Sequence, residues 1–284
     1  MHGGNKMTPG FNEYMGHVLP YAANCTLLFT EVELLQRPPA ARLAGFDAIE
    51  FWWPWPDQPV PPDAEVDKFV AAVRDAGVRL IGLNFFAGDL AGPDCGVLSI
   101  PARSTEFRDN IAVTMGIGEA LGVPAFNALY GNRVSDVTPR EQDDLATENL
   151  ALAGKAAAAI GGAVLVEPVS GPKPYPLRTA RDVVAVLDRV RAPNLGLLCD
   201  LFHLANNGDD IDAALAAYAH RIGHVQIADH PGRGEPGTGR LDLDRYLSTI
   251  AASDYSGYVG LEYIPTTTTI DSLRWLRQQK VTQL

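Results

Sequence analysis

Four side chains with oxygen donors stand at the carboxyl ends of four successive apolar segments in the second half of the chain. They are Glu167 after AVLV, Asp200 at the end of LGLLCD, Gln226 in HVQIAD and Glu262 at the end of YVGLE. Carboxylates held close together repel one another unless a cation lies between them. A donor set made of oxygen alone selects Mg²⁺ or Mn²⁺ over zinc. The pattern therefore predicts one divalent-metal site built from these four residues.

Each of these residues also has an ordinary structural explanation. A carboxylate at the end of a strand is often the N-cap of the following helix, which would suit Asp200. Glu167 could be a solvated loop residue, and Gln226 could be a hydrogen-bonded amide of the core. His203, in CDLFH, could be a structural imidazole. The metal hypothesis depends on the agreement of four strand ends rather than on any single residue.

The elements that must position these side chains recur along the chain, because short apolar runs alternate with stretches of helical period. We predict eight strands, at residues 21–25, 46–51, 79–84, 125–130, 163–167, 195–200, 224–228 and 258–262. We predict helices between and after them, at residues 31–44, 63–75, 105–121, 139–160, 179–190, 210–220, 243–252 and 272–279.

Eight consecutive βα units without a break in composition indicate an α/β protein whose fold is a (β/α)8 TIM barrel. We expect a single catalytic domain over residues 19–284, preceded by a polar tail over residues 1–18. A doubly wound open sheet is the alternative, but no Gly-x-Gly-x-x-Gly follows the first strand. In a barrel the chemistry lies where the strands end and the following loops begin.

Composition narrows the partners and the compartment. The 284 residues include 23 Lys and Arg against 34 Asp and Glu, which gives a net charge of −11. Such a chain is poorly matched to a phosphate backbone, so we expect no nucleic-acid partner. The three widely spaced cysteines suggest neither disulfides nor a zinc site. With no apolar run of roughly 20 residues and no signal peptide in the tail, we expect a cytoplasmic protein that does not enter a membrane.

Several segments between residues 21 and 265 stand out together. They include AANCTLLFTEVELLQRPPAARLAGFDAIEFWWPW, VLVEPV, CDLFH, HVQIADHPGRGEPGTG and GYVGLEYIP. In this combination the chain resembles the hydroxypyruvate isomerase family, and HVQIADHPGRGEPGTG is the most specific match. That family belongs to the xylose isomerase-like superfamily of barrels, which also contains ketose epimerases, inosose dehydratases and endonuclease IV.

The resemblance implies that Glu167, Asp200, Gln226 and Glu262 bind the divalent metal. It also implies that Glu167 and Glu262 form the acid/base pair, and that His203 lies next to the substrate. Gln226 stands where epimerases and the endonuclease usually have histidine, which supports the isomerase branch. The implied reaction converts a small hydroxy-oxo acid through an enediolate, as in the isomerisation of hydroxypyruvate to tartronate semialdehyde.

A substrate carboxylate needs a cation, and two loops offer one. Arg233, in HPGRGEPG, can present a bidentate fork, and Lys173, in SGPKPY, is the other candidate. Either residue could instead be a solvated loop charge. Glu235 is a further candidate at the substrate, or the ion-pair partner of one of these cations. Aromatic residues after the second and third strands, such as Trp52 and Phe85, could wall the pocket or cover a contact in a homo-oligomer.

Three other functions are weighed against the isomerase. A ketose epimerase, or a dehydratase of the inosose or dehydroshikimate type, would use the same barrel and metal and the same first proton abstraction. A nuclease would need extra histidines near the third and fourth strands, where the sequence has AFNALYGN. A non-catalytic binding barrel would show no activity and no metal-dependent stability.

Overall fold

The structure is a computed structural model that describes residues 17–278. Its strands are β1 (Tyr21–Asn24), β2 (Ala48–Phe51), β3 (Arg79–Asn84), β4 (Ala125–Asn127), β5 (Ala163–Val166), β6 (Leu195–Asp200), β7 (Ile222–Ile227) and β8 (Val259–Leu261). Each strand pairs in parallel with its neighbours in sequence, and β8 pairs with β1 to close the barrel. The predicted (β/α)8 TIM barrel is confirmed.

Helices follow the strands and cover the outside of the barrel. They are α1 (Arg37–Ala44), α2 (Asp63–Ala76), α3 (Ser104–Leu121), α4 (Pro139–Ala159), α5 (Ala180–Val190), α6 (Leu201–Asn207), α7 (Ile211–Tyr218), α8 (Leu243–Ala251), α9 (Thr269–Ser272) and α10 (Trp275–Gln278). Short 3-10 turns span Leu34–Gln36, Pro101–Arg103 and Ala219–Arg221. The apolar faces of the larger helices and the strand side chains that point outward form one core.

Local sequence signals fix several helix boundaries. At the start of α4, the Thr138 side chain accepts a hydrogen bond from the Glu141 N–H, and the Glu141 carboxylate accepts one from the Thr138 N–H. Thr179 and Asp182 form the same reciprocal cap at the start of α5. α3 ends at Gly122, whose φ of 67° is the left-handed conformation that glycine adopts without strain. These caps place the helix ends close to their predicted positions.

The first helix begins later than predicted. We expected it to start at Glu31 after Thr30, but α1 begins at Arg37, and prolines in its first turn favour that start. The Glu31 carboxylate accepts hydrogen bonds from the backbone N–H and hydroxyl of Thr269, at 2.6 and 3.0 Å. These hydrogen bonds of Glu31 connect the loop after β1 to the last βα unit.

Two other regions differ from the prediction. The seven-residue helix α6 follows β6 directly and was not predicted, because its pattern is too short to show a helical period. The expected final helix over residues 272–279 is divided into the two short helices α9 and α10. Residue 279 and residues 1–16 of the predicted tail lie outside the described residues.

Further expectations concern the membrane and the thiols. Within residues 17–278, the structure contains no helix that is both long enough and apolar enough to cross a membrane. The cytoplasmic location stays a prediction. Cys25, Cys95 and Cys199 are free thiols, in agreement with the sequence analysis.

The layer between the barrel and its helices is tightly packed around Phe126 on β4. Its ring lies 6.0 Å from that of Phe85, measured between centroids. A Cβ atom added to Gly118, in the last turn of α3, would lie 2.5 Å from Cζ of Phe126 and 2.9 Å from Cδ1 of Ile160. Gly118 is thus required for the close approach of α3 to the barrel, whereas a Cβ atom at Gly116 would meet nothing within 4 Å.

These two glycines give a matched test of the packing. Gly118→Ala should destabilise the protein by about 1–3 kcal/mol, because overpacking outweighs the better helix propensity of alanine. Gly116→Ala, on an open face of the same helix, should stabilise it by roughly 0.5–1 kcal/mol. Urea unfolding of both variants measures the two free energies. Equal and favourable effects would contradict the packing described around Phe126.

Candidate functional site

The strand ends bring the four predicted metal ligands to one end of the barrel. Asp200 is the last residue of β6, and its Cα is in register with that of Gln226 on β7. Gln226 is in register with Gly260 on β8, two residues before Glu262, and Glu167 directly follows β5. All four residues are buried. Because adjacent strands lie about 4.8 Å apart, these positions share a small region at the mouth of the barrel.

Three of these residues each keep one buried oxygen that accepts no hydrogen bond within residues 17–278. The atoms are Oε2 of Glu167, Oδ2 of Asp200 and Oε1 of Gln226. Ligand atoms of Glu167, Asp200 and His203 lie within 4.8 Å of one another. A buried acceptor without a partner costs about 1–3 kcal/mol, and a cation bound between such oxygens would offset that cost. The donor set therefore fits a hard divalent ion.

Asp200 has a structural role in addition to this one. Its Oδ1 accepts hydrogen bonds from the backbone N–H groups of Phe202 and His203, at 2.8 and 3.2 Å, and so caps α6. The helix follows the strand without a loop because the strand's last residue is also the N-cap. The two explanations of Asp200 from sequence are therefore compatible, since the cap uses one oxygen and leaves the other free.

His203 presents a neutral imidazole at the same place. Burial lowers its pKa to about 4. Its Nδ1 accepts a hydrogen bond from the backbone N–H of Ser170 at 3.0 Å, so the proton is on Nε2. That Nε2 lies 3.7 Å from Oδ2 of Asp200, and the ring lines the adjoining cavity. His203 can therefore donate a hydrogen bond at the site.

Glu262 differs from the other three, because hydrogen bonds reach both of its oxygens. Its Oε2 accepts from Nδ2 of Asn24 at 3.0 Å and from the indole N–H of Trp52 at 3.1 Å. Its Oε1 is paired with the guanidinium of Arg233. Glu262 thus lies at the barrel mouth with its charge compensated by Arg233, and its role as a metal ligand stays a prediction.

Arg233 is held over the site by its loop. The Asp229 carboxylate accepts hydrogen bonds from the backbone N–H groups of His230, Gly237 and Leu241, at 2.8, 2.8 and 3.0 Å. Arg233 has a positive φ of 61° and the Asp229 carbonyl accepts from its N–H at 3.0 Å.

The guanidinium of Arg233 lies between two aromatic rings. Its Cζ is 5.4 Å from the ring centroid of Phe202 and 5.9 Å from that of Trp52. The buried Nε of Arg233 has no hydrogen-bond partner in the described part of the chain. This Nε–H group therefore has unused hydrogen-bonding capacity next to Glu262.

The other two predicted substrate-binding residues make contacts between loops. The ammonium of Lys173 donates to the backbone carbonyls of Leu90, Ala91 and Gly92, the first at 3.0 Å. Glu235 accepts from the Thr266 backbone N–H at 3.0 Å and from its hydroxyl at 2.6 Å. Among the described residues, no salt bridge joins Glu235 to Arg233 or Lys173, so the structure does not contain the alternative ion pair. Direct substrate contacts by Lys173 and Glu235 stay predictions.

Several functional candidates in the first half of the barrel were missed by the sequence analysis. Asn127, the last residue of β4, donates to Oε1 of Glu167 at 2.6 Å. Glu50 on β2 accepts from Gln226 at 2.8 Å, and Asn24 at the end of β1 donates to both Glu50 and Glu262. Their signal is the same as that of the predicted ligands, a polar residue at the end of an apolar strand. The prediction used this pattern only for strands five to eight.

A cavity of about 200 Å³ adjoins these residues. It is lined by Glu167, Glu262, His203 and Arg233 together with Trp52 and Cys95. Phe85, which could have walled the pocket, is buried in the core instead. The geometry therefore provides a partly open pocket with carboxylates, a neutral imidazole and a guanidinium on its wall.

Residues 38–279 match the family model of the xylose isomerase-like TIM barrel. This chain belongs to that family. A Streptomyces coelicolor protein named "Putative hydroxypyruvate isomerase" is 53% identical over 252 residues, which cover 86% of this chain and 90% of the relative. The Escherichia coli protein named "Hydroxypyruvate isomerase" is 32% identical over 261 residues, covering 91% and 98%.

A solved structure of an AP endonuclease, family 2, from Brucella melitensis has the same fold as this xylose isomerase-like barrel. It superposes with a TM-score of 0.83 at 29% identity and covers 92% of this chain and 98% of its own. The resemblance stated from the sequence is thus confirmed at the level of the family.

The buried carboxyls of this xylose isomerase-like barrel have altered proton affinities. Burial raises the pKa of Glu167 to about 8, and the nearby Asp200 carboxylate adds to the rise. Burial also raises the pKa of Glu262 well above its usual range, although the Arg233 guanidinium opposes that shift. A cation at the unpartnered oxygens would favour the ionised form of Glu167 and so compete with its proton.

This competition predicts how cation binding depends on pH. Because Glu167 must lose a proton with a pKa of about 8, Mn²⁺ affinity should rise roughly tenfold per pH unit from about pH 6 and level off above about pH 8. Isothermal titration calorimetry in buffers of different ionisation enthalpy measures both the affinity and the proton release. An affinity that does not change over this range would contradict the protonation assigned to Glu167.

Proposed function

We propose that this xylose isomerase-like barrel is a divalent-metal-dependent isomerase of small hydroxy-oxo acids, of the type that interconverts hydroxypyruvate and tartronate semialdehyde. The observation that carries the proposal is the group of buried oxygens on Glu167, Asp200 and Gln226 that lack hydrogen-bond partners among residues 17–278. The names of the two relatives support the substrate class.

In this proposal, some residues at the barrel mouth bind the cation and others bind the substrate. Glu167, Asp200 and Gln226 would hold Mg²⁺ or Mn²⁺, and Glu262 would join them when Arg233 turns to the substrate. When bound, such an ion stabilises the negative charge that develops on the carbonyl and hydroxyl oxygens of the substrate. The neutral His203 would donate its Nε2–H to a substrate oxygen.

The reaction requires one proton to leave the hydroxyl-bearing carbon and one to arrive at the neighbouring carbonyl carbon. The hydroxyl proton must also pass to the former carbonyl oxygen. Glu167 and Glu262 would perform the two transfers at carbon, one as a carboxylate and the other carrying a proton. Burial raises the pKa of both groups, so the pair can retain a proton near neutral pH. Because β5 and β8 lie on different sides of the barrel, the two carboxyls approach the substrate from different directions.

The charge of the cavity supports an anionic substrate. The cavity has a volume of about 200 Å³, and a second cavity of about 470 Å³ shares Trp52, Asn84 and Leu90 with it. Arg233 would bind the carboxylate through its planar fork, beside the rings of Trp52 and Phe202.

Proton exchange beside a carbonyl tests the proposed reaction and Glu262 together. With Mn²⁺ and hydroxypyruvate in D2O, NMR should show deuterium entering beside the carbonyl and tartronate semialdehyde forming. Glu262→Gln should lower that turnover by about 10²–10⁴-fold, because one acid/base group is lost. Glu148→Gln, at an exposed surface ion pair, is the matched control and should turn over normally.

A panel of substrates shows which result would contradict the proposed isomerase. A four-carbon hydroxy-oxo acid and a ketohexose are compared with hydroxypyruvate under the same conditions. If the ketohexose gave epimers and the two acids gave no product, the protein would be an epimerase and not the proposed isomerase. Normal turnover in a folded Glu262→Gln would remove Glu262 from the mechanism.

The substrate anchor is tested by removing the guanidinium. Arg233→Ala should raise KM for hydroxypyruvate at least tenfold, because a charge-assisted bond contributes about 1.5–3 kcal/mol. Arg221→Ala, which removes a surface arginine paired with Asp188, should leave KM unchanged. Steady-state kinetics at saturating Mn²⁺ measure both variants. An unchanged KM in Arg233→Ala, with a raised KM in Lys173→Ala, would move the anchor to Lys173.

A further inference from the structure

A fourth carboxylate lies below the metal-ligand candidates, in the interior of the barrel. Glu50 on β2 is buried, with 3% of its surface exposed. Its Oε1 accepts hydrogen bonds from Nε2 of Gln226 at 2.8 Å and from Nδ2 of Asn24 at 3.0 Å. Its Oε2 lies 2.5 Å from Nε2 of His224. No step of the proposed reaction uses this group.

The barrel is shaped to hold the Glu50 carboxylate in this place. A Cβ atom at Gly260 on β8 would lie 2.6 Å from each carboxylate oxygen, and one at Gly82 on β3 would lie 3.3 Å from Cβ of Glu50. Because Gly260 has no side chain, the Glu50 carboxylate can occupy the space beside it. His224 and Gln226 are two residues apart on β7, so their side chains point to the same face of the strand and both reach Glu50.

Contact with Glu50 decides which end of the Gln226 amide is available. An amide presents a donor at one end and an acceptor at the other. Because a carboxylate can only accept, it takes the NH2 group of Gln226 and leaves Oε1 without a partner among residues 17–278. The same carboxylate draws the NH2 group of Asn24, which also donates to Glu262.

We propose that Glu50 is a positioning residue that fixes the Gln226 amide with its oxygen free to bind the divalent cation. The inference rests on the proposed function, because it assumes a cation at Glu167, Asp200 and Gln226. Without an acceptor at position 50, the Gln226 amide is free to rotate and present its NH2 group to the cation. Residues that orient metal ligands in this way typically change metal affinity by about 10–100-fold.

Two substitutions at position 50 separate orientation from charge. Glu50→Leu removes the acceptor and should weaken Mn²⁺ binding by about 10–100-fold. Glu50→Gln removes the charge but keeps an acceptor oxygen for Gln226 and Asn24. Its NH2 group would face Nε2 of His224, which can accept that hydrogen bond when the ring proton is on Nδ1. It should therefore keep the affinity within about threefold of the wild type. Calorimetric titration of the purified protein with MnCl2 alone measures each affinity.

A double-mutant cycle shows whether Glu50 acts through Gln226. In a Gln226→Leu background, the further change Glu50→Leu should weaken Mn²⁺ binding by less than about threefold. Asn149→Ala is the matched control, since it removes a buried amide that donates to the Leu98 carbonyl at 2.8 Å, away from the site. It should lower the melting temperature and leave Mn²⁺ affinity unchanged.

If Glu50→Leu does not fold, Gly260→Ala replaces it, because the added Cβ displaces the carboxylate without removing it. It should weaken Mn²⁺ binding at least tenfold. Wild-type affinity in folded Glu50→Leu or Gly260→Ala would overturn the inference and leave the proposed function standing. Equal losses in Glu50→Leu and Glu50→Gln would overturn it in favour of a charge effect. A wild-type protein that binds no Mn²⁺ would contradict the proposed metal site and this inference with it.

Discussion

The rest of the barrel mouth depends on three buried acceptor oxygens, on Glu167, Asp200 and Gln226, that receive no hydrogen bond within the described part of the chain. A folded chain normally pairs such atoms, since each unpaired one costs about 1–3 kcal/mol. Here these atoms lie on or directly after the neighbouring strands β5, β6 and β7, and burial together with the Asp200 carboxylate raises the pKa of Glu167. The arrangement is unfavourable by itself and becomes favourable when a cation is bound. The free-energy cost of these unpaired oxygens therefore supports both the proposed metal site and the proposed pH dependence of cation binding.

Each of these side chains is held by hydrogen bonds to its other polar end. Asn127 occupies one oxygen of Glu167, the first turn of α6 occupies one oxygen of Asp200, and Glu50 takes the NH2 group of Gln226. The free ends are thereby left at the mouth. This division requires side chains from β2 and β4 as well as from the strands that carry the ligands. A closed barrel can supply it, because every strand end contributes to the same small region.

Much of this arrangement was accessible from the sequence. Alternation of apolar runs and helical stretches predicted the closed barrel, and polar residues at strands five to eight predicted the ligand candidates. The same rule applied to strands one to four would have found Asn24 and Asn127, which end β1 and β4, and Glu50, one residue before the end of β2. These positions were passed over because an amide or an inward-facing glutamate is an ordinary core residue when only one strand is considered.

Other features depend on long-range contacts that local patterns do not encode. Lys173 and Arg233 are equivalent in the sequence as basic residues of glycine- and proline-rich loops. In the structure, Lys173 reaches the carbonyls of a loop about 80 residues away. Arg233 reaches Glu262, and its Nε has no hydrogen-bond partner among residues 17–278. The predicted start of α1 differs from the observed one for another reason. Thr30 is a residue type that suits an N-cap, but the prolines in the first turn of α1 favour a later start.

Anomalous scattering from crystals grown with MnCl2 tests the central claim most directly. We expect one strong peak at the mouth of the barrel, within about 2.5 Å of Oε2 of Glu167, Oδ2 of Asp200 and Oε1 of Gln226. A peak elsewhere, or no peak there at saturating Mn²⁺, would contradict the account of these three oxygens as a cation site.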